Sequence, residues 1–187
     1  FHYTPNALVV AENSPYETLA DLIADARLRP GAIRFSGSGK GTANHLAQLQ
    51  FDKLAGIETQ YRTYKGTAAS IAALLAGTVD AAWGYLSVAP KHGGKVRLLG
   101  VATKSRQTTA PDTPTFGELG FEMIGGAYRG IALPKSATPE LRQRVSDLFA
   151  KIGKDTKHAA DKQAVGFVPV IVPYQDIPDF MAARSAE

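Results

Sequence analysis

Short apolar runs recur along this chain, each followed by a turn and a helical pattern, and that alternation narrows the fold more than any other feature. Ala7-Leu8-Val9-Val10-Ala11 reads as a buried strand. Strands are also read at 32–36, 59–63, 79–83 and 96–101. Helical patterns fall between them at 18–29, 43–55, 68–76 and 86–92. Strands alternating with short helices indicate βαβ units and a mainly parallel sheet, so the fold class is α/β. Ligands of such sheets sit beyond the carboxyl ends of the strands. Loops 37–42, 64–67 and 83–86 fall at that edge.

The helix boundaries carry their own chemistry. Ser14 and Thr18 can each cap the first helix; Thr18 is favoured, because Asp21 stands three residues on in the acidic half of a capping box. Leu19, Leu22, Ile23 and Ala26 then share one face, and Pro30-Gly31 ends the helix. In the second helix Leu46, Leu49 and Leu54 are assigned to the core, with Gly56 at the C-terminal end. Further on, Tyr128 to Pro134 reads as one more strand, and Thr138-Pro139 opens a strong helix with Leu141, Val145, Leu148, Phe149 and Ile152 as its apolar stripe. A polar, Thr- and Pro-rich connection at 102–117 precedes this tail, which differs in kind from the regular array. A lobe boundary is placed near 125–135.

Between the second strand and its helix runs Ser36-Gly37-Ser38-Gly39-Lys40-Gly41-Thr42-Ala43-Asn44-His45. Alternating glycines let the backbone turn sharply and leave its amides uncovered. Thr42 or Asn44 can cap the helix that follows, whose first N–H groups are free. Exposed amides and the positive end of a helix dipole then point the same way, which makes an anion site. An ordinary tight βα turn is the other reading of the same residues.

Composition removes several classes of function. The chain has 187 residues, 44% hydrophobic and 20% charged, enough to bury a sizeable core. It has no cysteine, hence no disulfide, thiolate metal site or cysteine nucleophile. Its four histidines show no metal-ligand spacing, so neither a metal nor a cofactor is expected. A net charge of +4 favours anionic partners, but the basic residues are scattered and form no stripe, which argues against nucleic acid. No run approaches the ~20 apolar residues of a membrane span. The chain starts at Phe1 and a helical pattern runs up to Glu187; both ends are read as those of a processed chain or a fragment.

Enzyme signatures fit badly. Lys40 is followed by Gly41 where a phosphate-binding P-loop needs Ser or Thr. The glycines read G-x-G-x-G, out of step with the dinucleotide fingerprint, and no nucleophile elbow or carboxylate pair stands out. No catalytic residue is assigned. His45, in the first turns of its helix, either packs locally or acts on a ligand. Arg129 lies in an otherwise apolar strand, where a charge is costly unless paired. Its forked donors match either a protein carboxylate or a small organic acid. Trp83 and Tyr85 are either an aromatic wall of a cleft or half-buried core residues.

Taken together, these residues resemble the substrate-binding proteins of tripartite tricarboxylate transporters, the TctC or Bug family. The likeness runs from Asn6-Ala7-Leu8-Val9-Val10 and Ser14 to Leu22, through Gly37 to Thr42 with His45-Leu46 and Tyr64-Lys65-Gly66, to Leu74 to Asp80, Asp112 to Gly120 and Arg129-Gly130. No single piece is specific; their order and spacing are. The resemblance implies a periplasmic-binding-protein type II-like, hinge-closing pair of lobes in the periplasm. Such a protein delivers a di-, tri- or aromatic carboxylate to membrane subunits without catalysis. It implies ligand contacts at Ser38, Gly39, Gly41, Thr42, His45, Tyr64, Lys65, Trp83, Tyr85 and Arg129. It also implies that residues 1–11 are a crossover strand, 12–126 the second lobe and 127–187 a return segment packing on the first lobe, so that the chain holds about half of the family's site. The rival reading is an α/β enzyme that binds a phosphorylated or nucleotide substrate through loop 37–42.

Overall fold

The computed structural model describes residues 2–185. Phe1 and the last two positions of the pattern read up to Glu187 lie outside the described residues. Strand β1 (His2–Ala11) belongs to two sets of partners. Its inner half pairs antiparallel with β4 (Ala81–Tyr85) on one side and β5 (Val96–Val101) on the other. Its outer half, His2 to Pro5, pairs antiparallel with β6 (Gly126–Arg129), and His2 and Tyr3 pair with β7 (Val168–Pro169). β2 (Arg34–Gly37) runs parallel to both β3 (Gln60–Thr63) and β4, so the order is β3-β2-β4-β1-β5. The βα strands are therefore parallel to one another, as predicted, and β1 alone runs against them through the middle.

β1 is longer than the apolar run that announced it, because residues 2–5 find partners far along the chain. Pro5 is tolerated where the strand changes neighbours: having no N–H, it serves as acceptor, taking the Leu86 N–H at 3.0 Å. β4 lies two residues later than read, and Gly84 sits within it rather than in a turn. A Cβ there would press on Val88 and Val9 at 3.2 and 3.4 Å, so this glycine permits close packing across the sheet. β6 stops at Arg129, where the register with β1 ends, and Ile131 to Pro134 continue without a strand partner.

Helices cover both faces. α1 (Leu19–Leu28) starts with the Thr18–Asp21 capping box and buries Leu19, Leu22, Ile23 and Ala26, as the sequence predicts. α2 (Ala43–Ala55) has the predicted limits but a different rotation. Asn44, Ala47, Gln48, Phe51 and Ala55 face inward, while Leu46, Leu49 and Leu54 are exposed by 58%, 50% and 43%. Phe51 fixes this rotation by meeting the rings of Trp83, Phe116 and Phe121 at 5.6–5.8 Å. One core layer joins these rings to Leu8, Leu22 and Phe35. The other sets Ala7, Val9, Ala82 and Val101 against α3 (Thr67–Leu75) and α4 (Val88–His92).

Beyond β6 come α5 (Pro139–Lys154), α6 (Thr156–Ala164) and α7 (Ile177–Ser185). α6 and β7 were not foreseen. Thr138 caps α5 and Pro139 occupies its first turn, yet none of its apolar stripe is fully buried. Leu148 is 54% exposed and, across from α5, Ile171 and Met181 are open too. A cavity of about 620 Å³ lies between α5, α7 and residues 129–135.

A buried polar knot holds the end of α2 to β3. Gln48 Nε2, Thr59 N and Thr59 Oγ1 all donate to Asp52 Oδ2, at 2.5, 3.2 and 2.8 Å. Asp52 Oδ1 and Gln48 Oε1 are buried without a partner. Burial pushes the Asp52 carboxyl up to about 6, against the opposing effect of the Thr59 and Gln48 bonds and with a further push from Glu58. An acid raised above its unfolded value of about 4 favours the fold while protonated. Stability should accordingly fall as pH climbs from about 4 to about 6 and level off above that. Asp52→Asn keeps an acceptor for Thr59 and supplies a donor for Gln48. It should raise the melting temperature at pH 7.5, with the gain shrinking below pH 5; an equal shift at both pH values would contradict this.

Candidate functional site

Loop 37–42 sits at the carboxyl end of β2 and is braced from several sides. Gly37 has no room for a side chain, because a Cβ would collide with the Tyr61 ring and hydroxyl. The Tyr61 hydroxyl donates to the Ser38 carbonyl at 2.8 Å, and burial raises its pKa to about 12, so it stays a donor. Gly41 takes a positive φ of 76°, and its amide donates to His45 Nδ1 at 3.2 Å. That bond makes Nδ1 an acceptor and leaves Nε2 to carry the proton of a neutral ring. The His45 ring lies 4.7 Å from that of Tyr61.

Asn44 is the bracket of the site. Fully buried, it accepts from the Ser38 hydroxyl and donates to Asn6 Oδ1 at 3.4 Å and the Gly84 carbonyl at 3.3 Å. Asn6 in turn donates to the Ala43 carbonyl at 3.3 Å. One helix residue thus ties the loop to β1 and β4. Neither residue expected to cap α2 does so. Thr42 holds the N-cap backbone position, but its hydroxyl donates back to the Gly39 carbonyl at 2.7 Å, and Asn44 lies inside the helix.

The consequence is a set of open donors. The amides of Ser38, Gly41 and Thr42 are occupied by Asn44, His45 and Gly39. Among the described residues, those of Gly39, Lys40, Ala43, Asn44 and His45 have no protein acceptor. Asn44 is fully buried, which leaves four of these, on Gly39, Lys40, Ala43 and His45, around a helix start with the dipole behind them; they suit an anion, typically by ~0.3–1 kcal/mol and up to ~2 when partly buried.

The other candidate residues fall into three groups. Tyr64 and Lys65 form the neighbouring loop: the Tyr64 amide donates to the Gly37 carbonyl at 2.9 Å, its ring packs on the second core layer, and Lys65 is exposed. Tyr85 lies half-buried at the end of β4, within the field of Arg129; burial raises its pKa. Arg129 is exposed rather than buried as the apolar strand suggested, so it carries no burial cost. Its Nη1 donates to Thr4 Oγ1 at 2.5 Å and to the Ala127 carbonyl at 3.0 Å. No carboxylate pairs with it among the described residues.

Trp83 does not belong to the site. It is 0% exposed and packs against Phe35, Phe51 and Phe116 within a strand buried on both faces; Tyr85, on the same face two residues on, stays only half-buried because it ends the strand. The reading of Trp83 as a cleft wall is corrected accordingly. Asn6, Thr4 and Tyr61 were not among the residues expected at the site. The one available signal was a polar residue, Asn6, opening an otherwise apolar run.

Comparison with known proteins gives the family and the fold. Residues 1–187 match the model of the tripartite tricarboxylate transporter family receptors, TctC, and the chain belongs to that family. It is 32% identical over 145 residues to a UPF0065 protein of Cupriavidus necator, covering 77% of this chain and 44% of the relative. To BugT of Bordetella pertussis it is 27% identical over 180 residues, covering 88% and 55%. The chain thus spans about half the length of these curated relatives. Among solved structures, the R. palustris protein Rpa4515, determined with adipate, superposes with a TM-score of 0.91 at 25% identity, covering 99% of this chain and 63% of the other. MatC of Rhodopseudomonas palustris, with bound malate, gives 0.84 at 18%, covering 97% and 65%, a likeness of fold. The architecture is that of the periplasmic binding proteins of the TctC type. Among the described residues no helix is long and apolar enough to cross a membrane, and no group of three or more His, Asp or Glu could hold a metal ion.

Because Trp83 also carries a buried indole N–H with no partner, its two obvious substitutions should differ sharply. Trp83→Ala should cost ~3–5 kcal/mol in urea unfolding. Trp83→Phe removes the orphan donor and keeps the ring packing, so it should cost well under half as much.

Proposed function

We propose that this chain is part of a solute-binding protein, carrying one side of its ligand cleft, that captures a small organic carboxylate in the periplasm and presents it to the membrane subunits of a tripartite tricarboxylate-type transporter, without catalysis. The observation that carries this reading is the pairing of four open amides before and within the first turn of α2, those of Gly39, Lys40, Ala43 and His45, with Arg129, a guanidinium that pairs with no carboxylate among the described residues, at the same edge of the sheet. Asn6 braces the first position and Thr4 the second. Asn6 and Thr4 stand two residues of strand apart, roughly 7 Å, and two such anion-binding groups held by one strand suit a ligand with two carboxylates. The adipate and malate of the two structural relatives have that chemistry. Ser38, Gly39, Gly41, Thr42, His45, Tyr64, Lys65, Tyr85 and Arg129 form the proposed cleft face.

The same reading divides the chain. Residues 12–126 are one lobe, residues 1–11 a crossover, and 127–187 part of a second lobe. Support comes from the two partner sets of β1 and from the open apolar face of α5.

Adipate and malate titrated into the chain should shift the amide signals of residues 38–45 in NMR spectra, and ATP should not. Arg129→Ala should weaken binding ~10- to 150-fold, the ~1.5–3 kcal/mol of a hydrogen bond to a charged group. It should leave the melting temperature nearly unchanged, since Arg129 is exposed and pairs with no carboxylate among the described residues. Binding of ATP in preference to both acids, or a large loss of melting temperature, would overturn the assignment.

A further inference from the structure

On one face of β1, His2 and Thr4 alternate with Tyr3, which turns to the other face and stacks on Tyr128 at 5.0 Å. His2 stands directly across the ladder from Arg129, and Thr4 anchors the Arg129 guanidinium with a hydroxyl that is itself fully buried. α6 brings two more basic groups to this point. Lys162 lies 5.6 Å over the ring of Phe167, and His2 stacks on the same ring at 4.5 Å; His158 is within range of the same charges. His2, Arg129, Lys162 and His158 thus converge from three elements. Among the described residues no carboxylate pairs with any of them.

A cluster of one sign is costly by itself and is relieved by an anion or by the loss of a proton. Arginine and lysine keep theirs, so a histidine yields, and His2, directly across the ladder from Arg129, is the one placed to do so. Consistently, burial first, then Arg129, Lys162, the chain's N-terminal ammonium and His158, hold the His2 imidazole below its ordinary range. We infer that a carboxylate bound at Arg129 takes up a proton on His2, so that capture is proton-linked and His2 is a positioning residue for the ligand. This rests on the carboxylate reading given above. The proton comes from solvent and returns to it on release; no bond of the ligand changes. Negative charge beside His2 replaces the repulsion of its basic neighbours with attraction. The protonated ring then becomes a second donor, holding the carboxylate against the guanidinium. Phe167 fixes the plane of the imidazole, which limits how far that donor can swing.

The test follows the imidazole and amide signals of the 187-residue chain in NMR titrations with adipate between pH 6 and 8. The His2 pKa should rise on binding, and affinity should increase as pH falls, by up to about tenfold for each pH unit, the limit for one linked proton. His2→Gln should flatten this dependence. His2→Lys, with a fixed charge, should bind at pH 8 as tightly as the parent does at pH 6, again without a slope. If the amides of residues 38–45 respond to adipate while the His2 pKa stays put, the proton linkage is wrong and the carboxylate reading stands. A slope that survives His2→Gln would assign the proton to another group and equally overturn it. No response of any signal to adipate would remove the carboxylate reading, and the linkage with it.

Discussion

Strand β1 is the constraint on which the rest of this structure depends. Its inner half is buried on both faces between β4 and β5, and its outer half is gripped by β6 and β7. A single extended segment thereby fixes two sheets to one another, and its pleat decides which residues look where. Leu8 and Val10 point to the layer around Trp83, and Ala7 and Val9 to the layer under α3. Asn6 marks the change of partners, with Thr4 beyond it, and both are buried polar residues. Each has a hydrogen-bonded partner, as burial in a low-dielectric interior demands.

From that strand the site follows by local rules. Gly37, Tyr61 and Asn44 lock the glycine loop into one shape, and the locking bonds use side chains and three of the loop amides. The first-turn amides are left without a side-chain cap because the Thr42 hydroxyl turns back to Gly39. An uncapped helix start is a modest cost in stability. Here it leaves donors pre-arranged for a charged oxygen, so binding needs little reorganisation. Arg129 follows the same logic: its partners are a hydroxyl and a carbonyl, and its charge is unspent.

Much of this was legible in the sequence wherever neighbours in the chain decide the outcome. The Thr18–Asp21 box, the Thr138-Pro139 start of α5, the limits of α2 and the glycine loop all rest on contacts a few residues apart. Features set by distant partners were not legible. The rotation of α2 shows this best, since three leucines outweigh one phenylalanine on any hydrophobic count. Phe51 nevertheless faces inward, because Trp83, Phe116 and Phe121 arrive there from elsewhere in the chain. Trp83 was misplaced for the same reason, once β4 was read two residues early. Asn44 was visible only as a possible cap, while its actual bonds reach 38 and 40 residues away to Asn6 and Gly84. The reversal of β1 within a parallel array likewise leaves no trace in periodicity.

The central claim is that the free amides before and within the first turn of α2, together with Arg129, hold the two ends of a small dicarboxylate. A crystal structure of the chain soaked with adipate tests it most directly. One carboxylate should lie within about 2.7–3.2 Å of amides among Gly39, Lys40, Ala43 and His45, and the other on the Arg129 guanidinium. Adipate lodged instead in the apolar groove between α5 and α7, with those amides untouched, would contradict it.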